Sequence, residues 1–118
     1  MEDRRKLLGS LLALDQPLEK IRPKLSLVGW DSEKAQVTLT RRAAVSILRR
    51  FLDRELSAGE VEEWAGLVEC REDIGFEAPY ERTLRDLIYE LANPFLTREL
   101  SESSAAEWIL ALESDFRD

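Results

Sequence analysis

From residue 40 onward the chain repeats one pattern four times: a capping residue or proline, then an apolar stripe at helical spacing. Thr40 precedes Ala44, Val45, Ile47, Leu48, Phe51 and Leu52; Ser57 precedes Val61, Trp64, Ala65 and Val68. Pro79 precedes Tyr80, Leu84, Leu87, Ile88 and Leu91; Ser101 precedes Ala105, Trp108, Ile109, Leu112 and Phe116. Residues three and four apart share one face of a helix, so each stripe is buried only by packing on another element. Consecutive amphipathic helices with short connections make a bundle. The spacing therefore predicts helices over about 41–55, 58–70, 79–92 and 102–115.

The strongest local signal is Ser57-Ala58-Gly59-Glu60, which matches a capping box with Ser57 as N-cap and Glu60 at N3. Leu56 and Val61 stand at the two positions of a hydrophobic staple. Arg71 to Ala78 reads as a loop around Gly75, and Asn93-Pro94 stops the third of these helices.

The first forty residues are less regular. Leu7, Leu8, Leu11, Leu12 and Leu14 form a helical stripe over 3–14, but Arg4, Arg5 and Lys6 oppose the helix dipole, so this helix frays unless docked. Pro17 suits the first turn of a helix over 17–28 that Gly29 ends, and Pro23 predicts a kink or split. Trp30-Asp31-Ser32 reads as a turn, and Val37-Thr38-Leu39 as a short extended piece. The expected fold class is all-α: one domain spanning 1–118, built as a bundle of five to six helices with a possible short extended segment near 37–39.

Residues 51–69, FLDRELSAGEVEEWAGLVE, echo residues 95–113, FLTRELSESSAAEWILALE, with nine of nineteen positions identical. Each copy has a Phe-Leu pair, a Leu-Ser cap and a tryptophan seven residues after the serine. Duplication and convergence on a good helix start explain this about equally well. On either account Trp64 and Trp108 are expected at equivalent places in the core.

Net charge is −7, which disfavours a nucleic-acid binder, because such domains neutralise phosphates with surplus Lys and Arg. The charge is unevenly placed. Residues 1–54 hold twelve Lys/Arg against seven Asp/Glu, and residues 55–118 hold five against seventeen. Asymmetry of this size points to an electrostatic partner. The single cysteine, Cys70, excludes an internal disulfide and points to a reducing compartment. No apolar run is long enough to span a bilayer, and the start, Met1 to Leu8, lacks a signal-peptide core. A cytoplasmic protein is expected, with no membrane contact.

The residues offer little for catalysis. There is no histidine, which removes the commonest general base and metal ligand. One cysteine makes no zinc site, and no glycine-rich phosphate loop occurs. No catalytic, cofactor or metal site is expected. Cys70 reads as a semi-buried structural thiol. Asp73, beside Ile74, Gly75 and Phe76, is the one acid in an apolar loop context, and reads mainly as a turn or helix-end feature.

Surfaces remain. Residues 55–81 carry nine acids against Arg71 alone. Glu62, Gly66 and Glu69 share one helical face, and Glu72, Asp73 and Glu77 follow in the loop. With Glu63 and the outward-pointing Tyr89, flanked by arginines, these residues form the candidate partner-binding set. A basic protein would be steered to such a surface. The Arg42, Arg49, Arg50 and Arg54 face of the preceding helix is expected to pair with acids of the same chain or of a second copy, which keeps a homodimer open. An ordinary solvated face is the plainer alternative.

The stretch Phe51-Leu52-Asp53-Arg54-Glu55-Leu56-Ser57-Ala58-Gly59-Glu60, followed by Trp64, resembles the helix, Leu-Ser turn and acidic helix of small helical bacterial immunity proteins. Those are the partners of tRNA-cleaving colicins and contact-dependent inhibition toxins. The resemblance covers about twenty residues and implies a helical protein that blocks a cationic nuclease by placing carboxylates where RNA phosphates would lie. A self-associating structural or regulatory subunit is the alternative.

Overall fold

A computed structural model describes residues 4–28 and 35–114. Among the described residues, six helices and two short strands run in the order α1 (Arg4–Ala13), α2 (Leu18–Leu25), β1 (Val37–Leu39), α3 (Arg41–Leu52), α4 (Ala58–Glu69), β2 (Ile74–Phe76), α5 (Glu81–Ala92) and α6 (Glu102–Glu113). Helix α4 packs on α5 and α3 on α6, while α1 packs on α2, α3 and β1. None of the helices is long and apolar enough to cross a membrane among the described residues.

The predicted stripes form the core. Ala44, Val45, Ile47 and Leu48 are buried on α3, and Val61, Trp64, Ala65 and Val68 on α4. The N-terminal helix is docked, with Leu7, Leu8, Leu11 and Leu12 buried, and that docking offsets its unfavourable basic start. Helix α2 is shorter than the spacing predicts. It holds Pro23 without splitting, and Pro17 takes the N-cap position. Pro23 is the sixth residue of α2, past the orphan donors of the first turn, so the helix continues there without the amide that would reach the Glu19 carbonyl. Gly29 and the Trp30-Asp31-Ser32 turn lie outside the described residues, as does Phe116.

The caps are formed as the sequence indicates. Thr40 Oγ1 accepts from the Ala43 amide at 3.1 Å. Ser57 Oγ accepts from the Glu60 amide at 3.1 Å while Glu60 Oε1 accepts from the Ser57 amide at 2.9 Å. Leu56 and Val61 of the staple are both buried. At α6 the same reciprocal pair is made by Ser101 and Ser104.

Two helix ends take left-handed backbone without a glycine. Leu14, after α1, and Arg54, after α3, adopt left-handed backbone with φ of 49° and 65°. Each closes a Schellman motif: Asp15 N bonds to Ser10 O and Leu14 N to Leu11 O; Glu55 N bonds to Arg50 O and Arg54 N to Phe51 O. Helix α1 is closed further by side chains from other helices. Arg50 Nη1 donates to the Ala13 and Leu14 carbonyls at 3.0 and 3.1 Å, and Trp64 Nε1 donates to Leu11 O at 2.8 Å. Carbonyls orphaned at a helix end thereby tie three helices together.

The extended segment at 37–39 has a partner that the pattern does not reveal. β1 pairs in parallel with β2, Val37 opposite Ile74 and Leu39 opposite Phe76. Part of the expected loop 71–78 is therefore a strand. Isolated three-residue strands lack the alternation by which a sequence announces one.

Candidate protein interface

Two of the expected interface acids serve the β1–β2 pair. Asp73, just before β2, is completely buried. Its carboxylate takes a bidentate contact from Arg71, Nε to Oδ1 at 2.9 Å and Nη2 to Oδ2 at 3.0 Å, with Arg4 Nε at 3.8 Å from Oδ2. Its carbonyl accepts from the Gln36 and Val37 amides. Glu77, just after β2, accepts from the Arg41 amide at 2.8 Å and from Arg41 Nε at 3.3 Å. It thus satisfies an orphan donor at the start of α3. The Arg41 guanidinium stacks on Tyr80, 3.7 Å from the ring centre. Asp73 is removed from the accessible surface, and Glu77 is half-buried in a structural contact.

The other candidates face outward. Glu62, Glu63, Glu69 and Glu72 are exposed, and Tyr89 is 48% exposed. Glu63 pairs with Arg22 of α2. Glu69 Oε2 accepts from Asn93 Nδ2 at 3.1 Å. Arg71, the one basic residue of 55–81, has its side chain 6% exposed and turned onto Asp73. The outer face of α4 and the turn after it therefore present carboxylates with no cation from the same stretch among them. Gly59, Glu62, Gly66 and Glu69 follow one another at helical spacing along this face. A Cβ built on Gly66 meets nothing within 4 Å, so the face is open there. Cys70, at the end of α4, is exposed rather than semi-buried, because the helix stops there and leaves no neighbour to cover it.

The arginine face of α3 is used within the chain. Arg49 Nη2 meets Glu113 at 2.8 Å and Arg50 Nε meets Glu55 at 2.7 Å.

The two echoing segments diverge in space. Trp64 is completely buried against α1, whereas Trp108 is only half-buried and donates from Nε1 to Glu90 Oε2 at 2.7 Å. The expected equivalence of the tryptophans does not hold. The segments also part upstream of the tryptophans. Five residues link α3 to α4, and nine link α5 to α6. Asn93-Pro94 ends α5 before the second Phe-Leu pair, so Phe51 and Leu52 lie half-buried at the end of α3 while Phe95 and Leu96 are 100% and 72% exposed in a turn.

That turn is firmly tied. The Leu96 and Thr97 amides donate to Asn93 O, and Thr97 Oγ1 donates to Glu90 O and Asn93 O. Arg98 joins Glu90 at 3.0 Å and Glu107 at 3.1 Å. Its pKa is raised above the ordinary guanidinium value by the hydrogen bond to Glu90 and then by that to Glu107. Phe95 is a site residue that pattern-reading misses: the echo matches it to Phe51, which packs against the core, whereas Phe95 is fully exposed. The early stop at Asn93-Pro94 was the available signal.

The chain matches no protein-family model, no curated protein and no solved structure.

Proposed function

We propose that this chain is a non-catalytic protein-binding module that takes a cationic protein on the outer face of α4 and the turn after it. The observation that supports the reading is the excess of carboxylates on that face, where Glu63 alone is paired with a cation, Arg22 of α2, among the described residues. Glu62, Glu63, Glu69 and Glu72 are exposed, while Arg71 is withdrawn onto Asp73. Charge of one sign speeds encounter with an oppositely charged partner and makes the rate fall with salt. The concrete form is immunity: the partner is a basic nuclease toxin, and the carboxylates occupy the positions of RNA phosphates. Self-association of a basic half with an acidic half is less favoured, because Arg42, Arg49 and Arg50 already have contacts within the chain.

Asp73 is kept as it is, because reversing the charge of a buried, ion-paired carboxylate would break the fold. The informative variant is Glu62→Lys, Glu69→Lys and Glu72→Lys together. Co-expression of the wild-type chain with the nuclease toxin encoded beside its gene should restore growth, and the triple variant, with an unchanged circular dichroism spectrum, should not. Equal rescue by the variant overturns the acidic face. Failure of the wild-type chain to rescue, or the absence of such a toxin gene, overturns the immunity reading.

A further inference from the structure

Beside the acidic face of α4 lies a groove of about 310 Å³, between the first turn of α4 and the link from α5 to α6. Its apolar wall is Leu91, Pro94, Phe95 and Leu100, and three carboxylates, Glu62, Glu90 and Glu99, border it. Glu90 is occupied by Arg98 and Trp108. Among the described residues no Lys or Arg pairs with Glu62 or Glu99. The rim residue Phe95 makes no use of its apolar surface within the chain, since it is 100% exposed.

Single exposed apolar side chains are ordinary. This one differs in three respects. It stands beside Leu96, also largely exposed. It belongs to a turn held by hydrogen bonds from Leu96, Thr97 and Arg98, so little order is lost when something docks on it. It also borders a concave apolar wall ringed by carboxylates. Aromatic anchors next to a pocket, with charges at the rim, are the arrangement from which binding hot spots are built.

We propose that this groove seats the apolar side chains of a cationic, amphipathic segment of the protein partner, with Phe95 and Leu96 as anchors and Glu62 and Glu99 as charge contacts. The proposal rests on the reading of the α4 face as a protein-binding surface and adds the partner's chemistry. Acid around an apolar floor selects a segment with apolar residues on one side and Lys or Arg on the other. A polar cationic segment satisfies the rim alone, and an acidic amphipathic one satisfies the floor alone.

The test uses three synthetic helical peptides and calorimetric titration of the full chain at low salt. One carries leucines on one face and lysines on the other; the second has serine for leucine; the third has glutamate for lysine. The leucine–lysine peptide should bind and the other two should bind at least about tenfold more weakly. Phe95→Ala with Leu96→Ala should cost a similar factor. Glu62→Gln with Glu99→Gln, on different elements, should weaken binding and flatten its salt dependence. Phe95 supports nothing in the core, so the first variant should keep its melting temperature. Equal binding of the serine peptide, or no effect of the Phe95 and Leu96 changes, overturns the groove and leaves the acidic-face reading standing. No binding of either lysine peptide overturns both. A wild-type dimer that Phe95→Ala dissociates in sedimentation overturns the heterologous partner in favour of a second copy.

Discussion

Replacing Asp73 with alanine takes the bidentate carboxylate away from Arg71 at a point where the acid is completely buried and the Arg71 side chain is 6% exposed. Breaking one end of a buried ion pair costs about 3–5 kcal/mol, because a charge is left in a poor dielectric. The change leaves the Asp73 carbonyl, and its bonds to Gln36 and Val37, in place. A chain of 118 residues has a stability of roughly 6–18 kcal/mol at the usual value per residue, so the loss is a large share of the whole. With an unfolding entropy of about 2.1 cal/mol/K per residue, it lowers Tm by roughly 12–20 °C. Urea titration followed by far-ultraviolet circular dichroism measures it, with an unchanged m-value confirming the same transition. The control is Asp73→Leu with Arg71→Met. Replacing both ends with apolar groups is often neutral, so the double variant should recover much of the stability lost by Asp73→Ala. A loss below about 1 kcal/mol for Asp73→Ala, or a double variant no more stable than the sum of its singles, would refute the reasoning.

Two backbone positions should respond in opposite ways to glycine. Gly66→Ala, in the interior of α4 with open space around its Cβ, should stabilise by about 0.5–1 kcal/mol, read from the urea midpoint; a destabilised variant would refute the open face. Arg54→Gly, at a left-handed backbone position after α3, should also stabilise, by up to about 1 kcal/mol, because a side chain there is strained; a loss in the same titration would show that the Arg54 side chain contributes more than the strain costs.

The helices and their faces were legible because they depend on neighbours three and four positions apart. The serine caps were legible for the same reason, since N-cap and N3 are three residues apart. What was not legible depends on distant residues. Ile74-Gly75-Phe76 becomes a strand only because Val37-Thr38-Leu39 lies alongside. Leu14 ends α1 without a glycine because Arg50 and Trp64, far along the chain, hold the last carbonyls. Charge sign gave the acidic stretch but not its orientation. Glu62, Glu63, Glu69 and Glu72 face solvent, whereas Asp73 and Glu77 turn to cations that precede them or lie in an earlier segment. The Phe95 turn was hidden by the echo itself, which led the second Phe-Leu pair to be read as a copy of the first.

The two linkers carry a consequence for how such a chain can change. Going from five to nine residues adds about one helical turn of chain, and the closure entropy of that change is only about 0.5 kcal/mol. Both serine caps survive it, and so do the helices they start. A connection can therefore turn a core-facing Phe-Leu pair into a surface anchor while the packed interior stays as it was. New surface chemistry enters such a bundle most cheaply at its links, where length is nearly free and the helices on either side keep their own start signals.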